Sequence, residues 1–437
     1  MERLIFNKLN NWKNSTNRKP LLLRGARQVG KTWLMKEFGK LTYQNVVYIN
    51  FESNKNLQNL FISDYNTQRI ISAIQIEAET IIDSDKTLII FDEIQECDGA
   101  ITSLKYFCEN APQYQIIAAG SLLGVALHKH TSFPVGKVDF LDMYPMTFDE
   151  FLLAVNQKAL YEVIRNSDWV MMTTFKAKLI ELLRQYYFVG GMPEAVLSFS
   201  NEKDFFKVRA IHNRLLNAYE QDFSKYAPYE IVPRIRMIWQ SIPTQLSKEN
   251  KKFVYGALKP GARAKEFEMA MTWLIDTGLV HKLHRVTKSG IPLISYMDFA
   301  AFKLYFVDIG LLGAMGSIDA KTLLNGNAIF EEFKGAMTEQ FVLQQLKTKE
   351  NLPVYYWSTD KSTAEIDFVI QLAGQIIPIE VKAQENLQAK SLKSYYQKFS
   401  PKTSIRSSMS DYRKDDWLTN IPLYSIGNYI DELLKNK

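Results

Sequence analysis

Eight residues constrain this chain more than any others: Gly25-Ala26-Arg27-Gln28-Val29-Gly30-Lys31-Thr32. They follow the apolar run Leu21-Leu22-Leu23 and precede a helical pattern, Trp33-Leu34-Met35-Lys36-Glu37-Phe38. A strand, then G-x-x-x-x-G-K-[ST], then a helix is the setting of a phosphate-cradling loop. Gly25 and Gly30 permit backbone conformations closed to side-chain-bearing residues, so successive N–H groups can turn inward around an anion. The positive end of the following helix adds to the same pocket. Lys31 supplies a point charge for the β- and γ-phosphates, and Thr32 offers a hydroxyl to magnesium. The expectation is a chain that binds ATP or ADP with Mg2+ through Gly25 to Trp33.

The residues after this loop fit an α/β fold with a doubly wound parallel sheet. Val46-Val47-Tyr48-Ile49-Asn50-Phe51 reads as a second strand, and Gln68 to Ile82 as a helix. Leu88-Ile89-Ile90-Phe91 is an unbroken apolar run ending in Asp92-Glu93. Such a run suits a strand covered on both faces, and acids at its C-terminal end lie where these sheets bind ligands. Asp92 is expected to hold the magnesium and Glu93 to polarise an attacking water. Gln115 to Gly120 predicts a fourth strand ending in Ser121, a γ-phosphate or water sensor or else a helix cap. Val138 to Met143 predicts a last strand before Pro145.

These stretches, with "LDMYPMTFDEFL", resemble the prokaryotic AAA-type ATPases of the archaeal-ATPase group, relatives of the STAND ATPases. The resemblance implies a P-loop ATPase core over residues 1–150, a helical lid over 151–230, a winged-helix domain over 231–320 and a C-terminal domain over 321–437. That last domain is often without an assigned function in the family. It also implies that Gly191 and Pro193, in Gly191-Met192-Pro193, pack near the nucleotide base or sugar. The family commonly has an arginine in the glycine turn before the last strand, where this chain has Lys137. No arginine for the γ-phosphate is placed in cis, so a second copy of the chain, in a homo-oligomer, is a candidate supplier.

Tyr219 to Phe223 reads as the start of a linker, and Pro233–Leu246 and Ala264–Thr277 as helices. Leu279 to Arg285 and Pro292 to Tyr296 then predict a hairpin, the winged-helix pattern. Lys251, Lys252, Lys259, Arg263, Lys265, Lys282, Arg285 and Lys288 could meet DNA phosphates or form a solvated basic face. His281 and His284 read as surface histidines, and "KLYFVDIGLLGAM" looks like a further family signature.

Toward the C-terminus, a helix from Glu331 to Lys347 carries Glu339. The strand-like Glu365 to Ile370 carries Asp367, and Ile376 to Lys382 carries Glu380 and Lys382 on one face. Two carboxylates with a following lysine form the metal-nuclease pattern, and the stretch resembles the PD-(D/E)xK restriction-endonuclease fold. Glu339, Asp367 and Glu380 are then candidate ligands for Mg2+ or Mn2+, with Asp367, Glu380 and Lys382 catalytic; a degenerate binding domain is the alternative.

A formal charge of +6 accommodates DNA without demanding it. Cys97 and Cys108, the only cysteines, lack zinc or disulfide spacing. No apolar run approaches the ~20 residues of a membrane span, so the expectation is a cytoplasmic protein without a membrane partner. Three functions fit: an ATPase coupled to a DNA-binding or nuclease-like region, a nucleotide-controlled switch for protein partners, and an ATP-gated DNA nuclease.

Overall fold

An unbroken apolar run needs cover on both faces, and Leu88, Ile89, Ile90 and Phe91 have it: each is wholly buried. The computed structural model describes residues 1–121, 123–126, 134–249, 251–325, 331–359, 364–383 and 389–435. Among these residues the chain divides into two units. The smaller comprises Arg3–Tyr144 with Asp276–Leu279, and the larger holds Met1–Glu2, Pro145–Ile275 and Val280–Lys437.

The smaller unit is built on β1 (Leu21–Arg24), β2 (Asn45–Asn50), β3 (Thr87–Asp92), β4 (Gln115–Ala119) and β5 (Asp139–Asp142). They lie in the order β2-β3-β4-β1-β5, and every pairing is parallel. Parallel neighbours need crossovers, which the helices Lys31–Thr42, Thr67–Glu77 and Asp98–Asn110 supply. Phe51, Phe61 and Phe91 meet edge to face, with centroids 5.4–6.0 Å apart, and anchor the core on one side of the sheet. The helix expected to reach Ile82 stops at Glu77.

In the larger unit, helices run from Phe148 to Tyr226. The first is closed by a capping box in which Glu150 N–H donates to Thr147 Oγ1 (3.2 Å) and Thr147 N–H to Glu150 Oε2 (2.9 Å). The expected linker at Tyr219–Phe223 is instead the C-terminal part of the 22-residue helix Phe205–Tyr226. Tyr219 and Phe223, four apart and so on one face, pack edge-on against Trp239 at 6.1 and 5.5 Å.

The larger unit's sheet contains β6 (Val280–Val286), β7 (Met297–Phe306), β8 (Val354–Ser358), β9 (Glu365–Leu372), β10 (Gln375–Val381), β11 (Ile405–Ser408), β12 (Arg413–Lys414) and β13 (Thr419–Pro422). Their order is β12-β13-β11-β10-β9-β8-β6-β7. The hairpin expected as a wing and the strands expected in the C-terminal domain therefore form one sheet. They join through a parallel seam that pairs Arg285 with Tyr356 and Val286 with Trp357. The expected second strand at Pro292–Tyr296 is a tight helical turn, and the strand begins at Met297. Pro292 has no N–H to give a ladder, whereas Ala301 to Phe306 are wholly or nearly buried.

Gly191 explains two sequence signatures at once. A Cβ there would lie 2.1 Å from Met146 O, so no larger residue fits. Its N–H donates to Asp308 Oδ2 at 2.6 Å, while Asp308 Oδ1 accepts from Leu311 N–H at 3.1 Å. Gln344 Nε2 reaches the same carboxylate at 3.0 Å. "FVGGMPE" and "VDIGLLG" thus meet at one buried aspartate.

Candidate active site

The loop between β1 and the helix Lys31–Thr42 takes the form that its glycines allow. Gly25 has φ 142°, and a Cβ on it would lie 2.1 Å from Met143 O; Gly30 has φ 94° and starts the helix. Ala26 and Val29 are buried, Arg27 is half-buried, and Gln28 is exposed with φ 65°. Lys31 is buried, and its Nζ donates to Gly25 O and Ala26 O, both at 2.8 Å. The lysine therefore arches over the loop rather than pointing to solvent. Burial pulls its ammonium down to about 8, against the resistance of the Glu93 and Asp92 carboxylates. Trp33, one position past the motif, is exposed and meets Phe6 edge-on.

β3 delivers its two acids to this loop. Thr32 Oγ1 donates to Asp92 Oδ2 at 2.7 Å, bringing together the two groups expected to serve magnesium. A hydroxyl beside a buried carboxylate is a donor set of hard oxygens, which fits a divalent ion bound with a nucleotide. Glu93 follows in a left-handed conformation, and its carboxylate accepts from Ser121 Oγ at 2.8 and 3.1 Å. Ser121 Oγ thus faces Glu93 among the described residues.

Four further residues touch these acids or the loop. Tyr48 Oη donates to Asp92 Oδ2 at 2.9 Å, and Gln95 Nε2 donates to Glu93 Oε2 at 2.6 Å. Arg3 braces the loop from outside through Val29 O (3.0 Å) and Tyr144 O (2.8 Å). Gly278 approaches so closely that a Cβ on it would lie 3.2 Å from Ala26 N. Only Gln95, two residues past the acid pair, had a positional signal. Lys137, where the resemblance implies an arginine, pairs with Glu109 at 2.9 Å.

Gly191 and Pro193 belong to the larger unit, where Pro193 opens the helix Pro193–Glu202. The same unit gathers the second set of acids, with unexpected partners. Glu339 is buried, and its carboxylate meets the Lys251 ammonium, Tyr305 Oη at 2.9 Å and Lys303 Nζ at 3.7 Å. Lys303, wholly buried, also pairs with Glu365. Asp367 Oδ2 accepts from Val381 N–H at 2.7 Å, and Lys382 Nζ pairs with Glu380 Oε1 at 2.8 Å. Burial would raise Glu339, yet the two lysines hold it below the usual carboxylate range. Burial and the neighbouring Glu339 push Asp367 above that range. Among the described residues no group of three or more His, Cys, Asp or Glu side chains is placed to hold a metal ion.

Three of the basic residues that could meet DNA phosphates or form a solvated face pair with acids of the chain. Besides Lys251, Lys259 pairs with Glu266 at 2.8 Å and Arg285 with Asp298 at 2.6 Å. His281 and His284, expected at the surface, are half-buried, with His284 Nδ1 3.3 Å from Asp298 O. Among the described residues no helix is long and apolar enough to cross a membrane.

Comparison with known proteins divides the chain in three. Residues 17–152 match a family described as an AAA domain. Residues 180–322 and 334–426 match two families described as domains of unknown function, DUF8612 and DUF4143. No curated protein matches the chain. Similar solved structures include a Walker-type ATPase of Pyrococcus abyssi, 13% identical, covering 71% of this chain and 94% of its own at a TM-score of 0.44. The Aeropyrum pernix Orc1 protein in complex with DNA is 11% identical, covering 72% and 90% at 0.29. Thermotoga maritima RuvB is 15% identical, covering 63% and 88% at 0.29. The loop geometry and the family match fall on the same residues: Gly25 to Thr32, with Asp92, lie inside the stretch 17–152 that matches the AAA domain.

Proposed function

We propose that this protein is a magnesium-dependent ATPase whose nucleotide state controls a binding surface in its larger unit. ATP would lie along Gly25 to Trp33, with the loop amides and Lys31 on its β- and γ-phosphates. Thr32 and Asp92 would hold magnesium, which neutralises phosphate charge when bound. Glu93 would take a proton from the water that attacks the γ-phosphorus in line, and the amides and Lys31 would stabilise the charge that develops. The observation that carries this reading is the convergence of Lys31, Thr32, Asp92 and Glu93 on one loop, with Thr32 and Asp92 2.7 Å apart.

The test is phosphate release from Mg–ATP. Lys31→Ala and Glu93→Gln should each lower turnover by about 100-fold or more, Glu93→Gln while still binding ATP. Turnover unchanged in both variants would overturn the reading.

A specific observation bears on the other end of the chain. The helix acid and hairpin of residues 331–382 support a nuclease-like fold, while Lys251 and Lys303 already neutralise Glu339. That charge balance favours a binding module over a metal-dependent nuclease. Its ligand is either DNA, met through a winged-helix-like region around residues 231–320, or a protein partner. DNA-stimulated ATP turnover without strand breaks in Mg2+ or Mn2+ would support the DNA arm, and turnover indifferent to DNA the protein arm. Metal-dependent strand breaks lost in Asp367→Ala would refute the binding-module reading.

A further inference from the structure

We propose that Gln95 is a positioning residue for ATP hydrolysis, fixing the Glu93 carboxylate, and that position 120 is glycine to make room for it. This rests on the reading of the smaller unit as an ATPase.

Glu93 leaves β3 with φ 48° and ψ 45°, so the backbone turns sharply just where the side chain must be aimed. A glutamate has enough rotatable bonds to miss its target from any backbone. Two donors remove that freedom. Ser121 Oγ, from the end of β4, lies 3.1 Å from Oε1 and 2.8 Å from Oε2. Gln95 Nε2, from the short turn Ile94–Glu96, lies 2.6 Å from Oε2. The carboxylate is therefore gripped from its own strand's exit and from that of the neighbouring strand.

The far side of the Gln95 amide is set by space. Its Oε1 is buried with no hydrogen-bond partner among the described residues. A Cβ on Gly120 would lie 2.1 Å from that oxygen and 2.9 Å from Leu123 Cγ. A buried amide oxygen without a partner is unfavourable, and what offsets it is the nitrogen of the same amide, 2.6 Å from Glu93 Oε2 and 3.4 Å from Glu96 Oε1. Any side chain at position 120 would drive Oε1 away and break the bond to Glu93. Gly120 and Gln95 are two ends of one device.

In the step it serves, the water oxygen bonds to the γ-phosphorus, and the bond from phosphorus to the β–γ bridging oxygen breaks, its electron pair leaving on ADP. The water proton passes to a Glu93 oxygen and then to the released phosphate. Gln95 touches none of these atoms and acts through Glu93 alone.

The experiment measures ATP turnover and ATP affinity on the full chain for Gln95→Leu, Gly120→Ala and the double variant, and for Gln95→Leu in a Glu93→Gln background. Each single substitution should lower kcat by about 10- to 100-fold and move the nucleotide Kd by less than about threefold. The double variant should lose no more than the worse single, because both remove the same contact. With Glu93→Gln, removing Gln95 should cost nothing further. Unchanged kcat in Gln95→Leu, a loss confined to affinity, or an equal further loss with Glu93→Gln would each overturn the proposal. Retained Kd shows that a variant is folded; if Gly120→Ala is not, Gln95→Leu decides alone. Wild-type turnover no faster than that of Lys31→Ala would sink the ATPase reading and this proposal together, whereas an active wild type with an indifferent Gln95→Leu sinks only the latter.

Discussion

Nucleotide binding should weaken as pH rises past about 8, because burial has drawn Lys31 down to about 8 from its ordinary 10.5. A phosphate tail binds the ammonium form, so above that pH each binding event must first restore a proton. With the group at about 8, its protonated fraction falls about 25-fold between pH 7.5 and 9.5, and the apparent Kd rises by the same factor, about 2 kcal/mol. ADP is the suitable probe, since a phosphate monoester with a second pKa near 6 is fully ionised across this range. Calorimetric titration from pH 7.5 to 9.5 measures the affinity. Repeating it at pH 9 in buffers of different ionisation enthalpy measures the proton taken up, approaching one per ADP. Lys31→Arg keeps its charge throughout and should give a flat profile, even if binding is weaker overall. A wild-type affinity constant within twofold, or the same curve in Lys31→Arg, would refute the reasoning.

The larger unit offers two stability tests. Lys303→Met leaves Glu365 and Glu339 facing a buried methyl group, and should cost about 3–5 kcal/mol in denaturant unfolding followed by tryptophan fluorescence. Adding Glu365→Gln should recover part of that loss, because one orphaned charge is gone; a cost below about 1 kcal/mol would mean the cluster is not a buried ion network. Gly191→Ala drives a methyl group into Met146 O and should lower stability by about 3 kcal/mol or more, seen as a drop in Tm.

Much of the smaller unit was legible because its signals are local. Leu88 to Glu93 announces both the buried strand and the acids at its end, and Gly25 to Thr32 carries its chemistry within a single turn. Tyr219 to Phe223 shows how that reading fails: the stretch reads as the start of a linker, while the four-residue spacing of the two aromatics was the true helical signal. Lys303 was less visible still. It lies inside "FKLYF", two residues from Tyr305 and hence on the same face, but its carboxylate Glu365 comes 62 residues later. Gln95 stands two residues past Glu93, but that spacing does not say which side chain its amide orients. Sequence patterns expose what neighbours in the chain do together, and Lys303 acts with a residue far along it.

The short seam between β6 and β8 carries a practical consequence. A fragment begun at residue 321 would contain β8 but not its neighbour, leaving the backbone groups beside Tyr356 and Trp357 bare along a new margin. Such a margin templates pairing with other chains, so that fragment should clump when expressed by itself. Workable truncations of this region must keep Val280 to Phe306 attached to everything that follows.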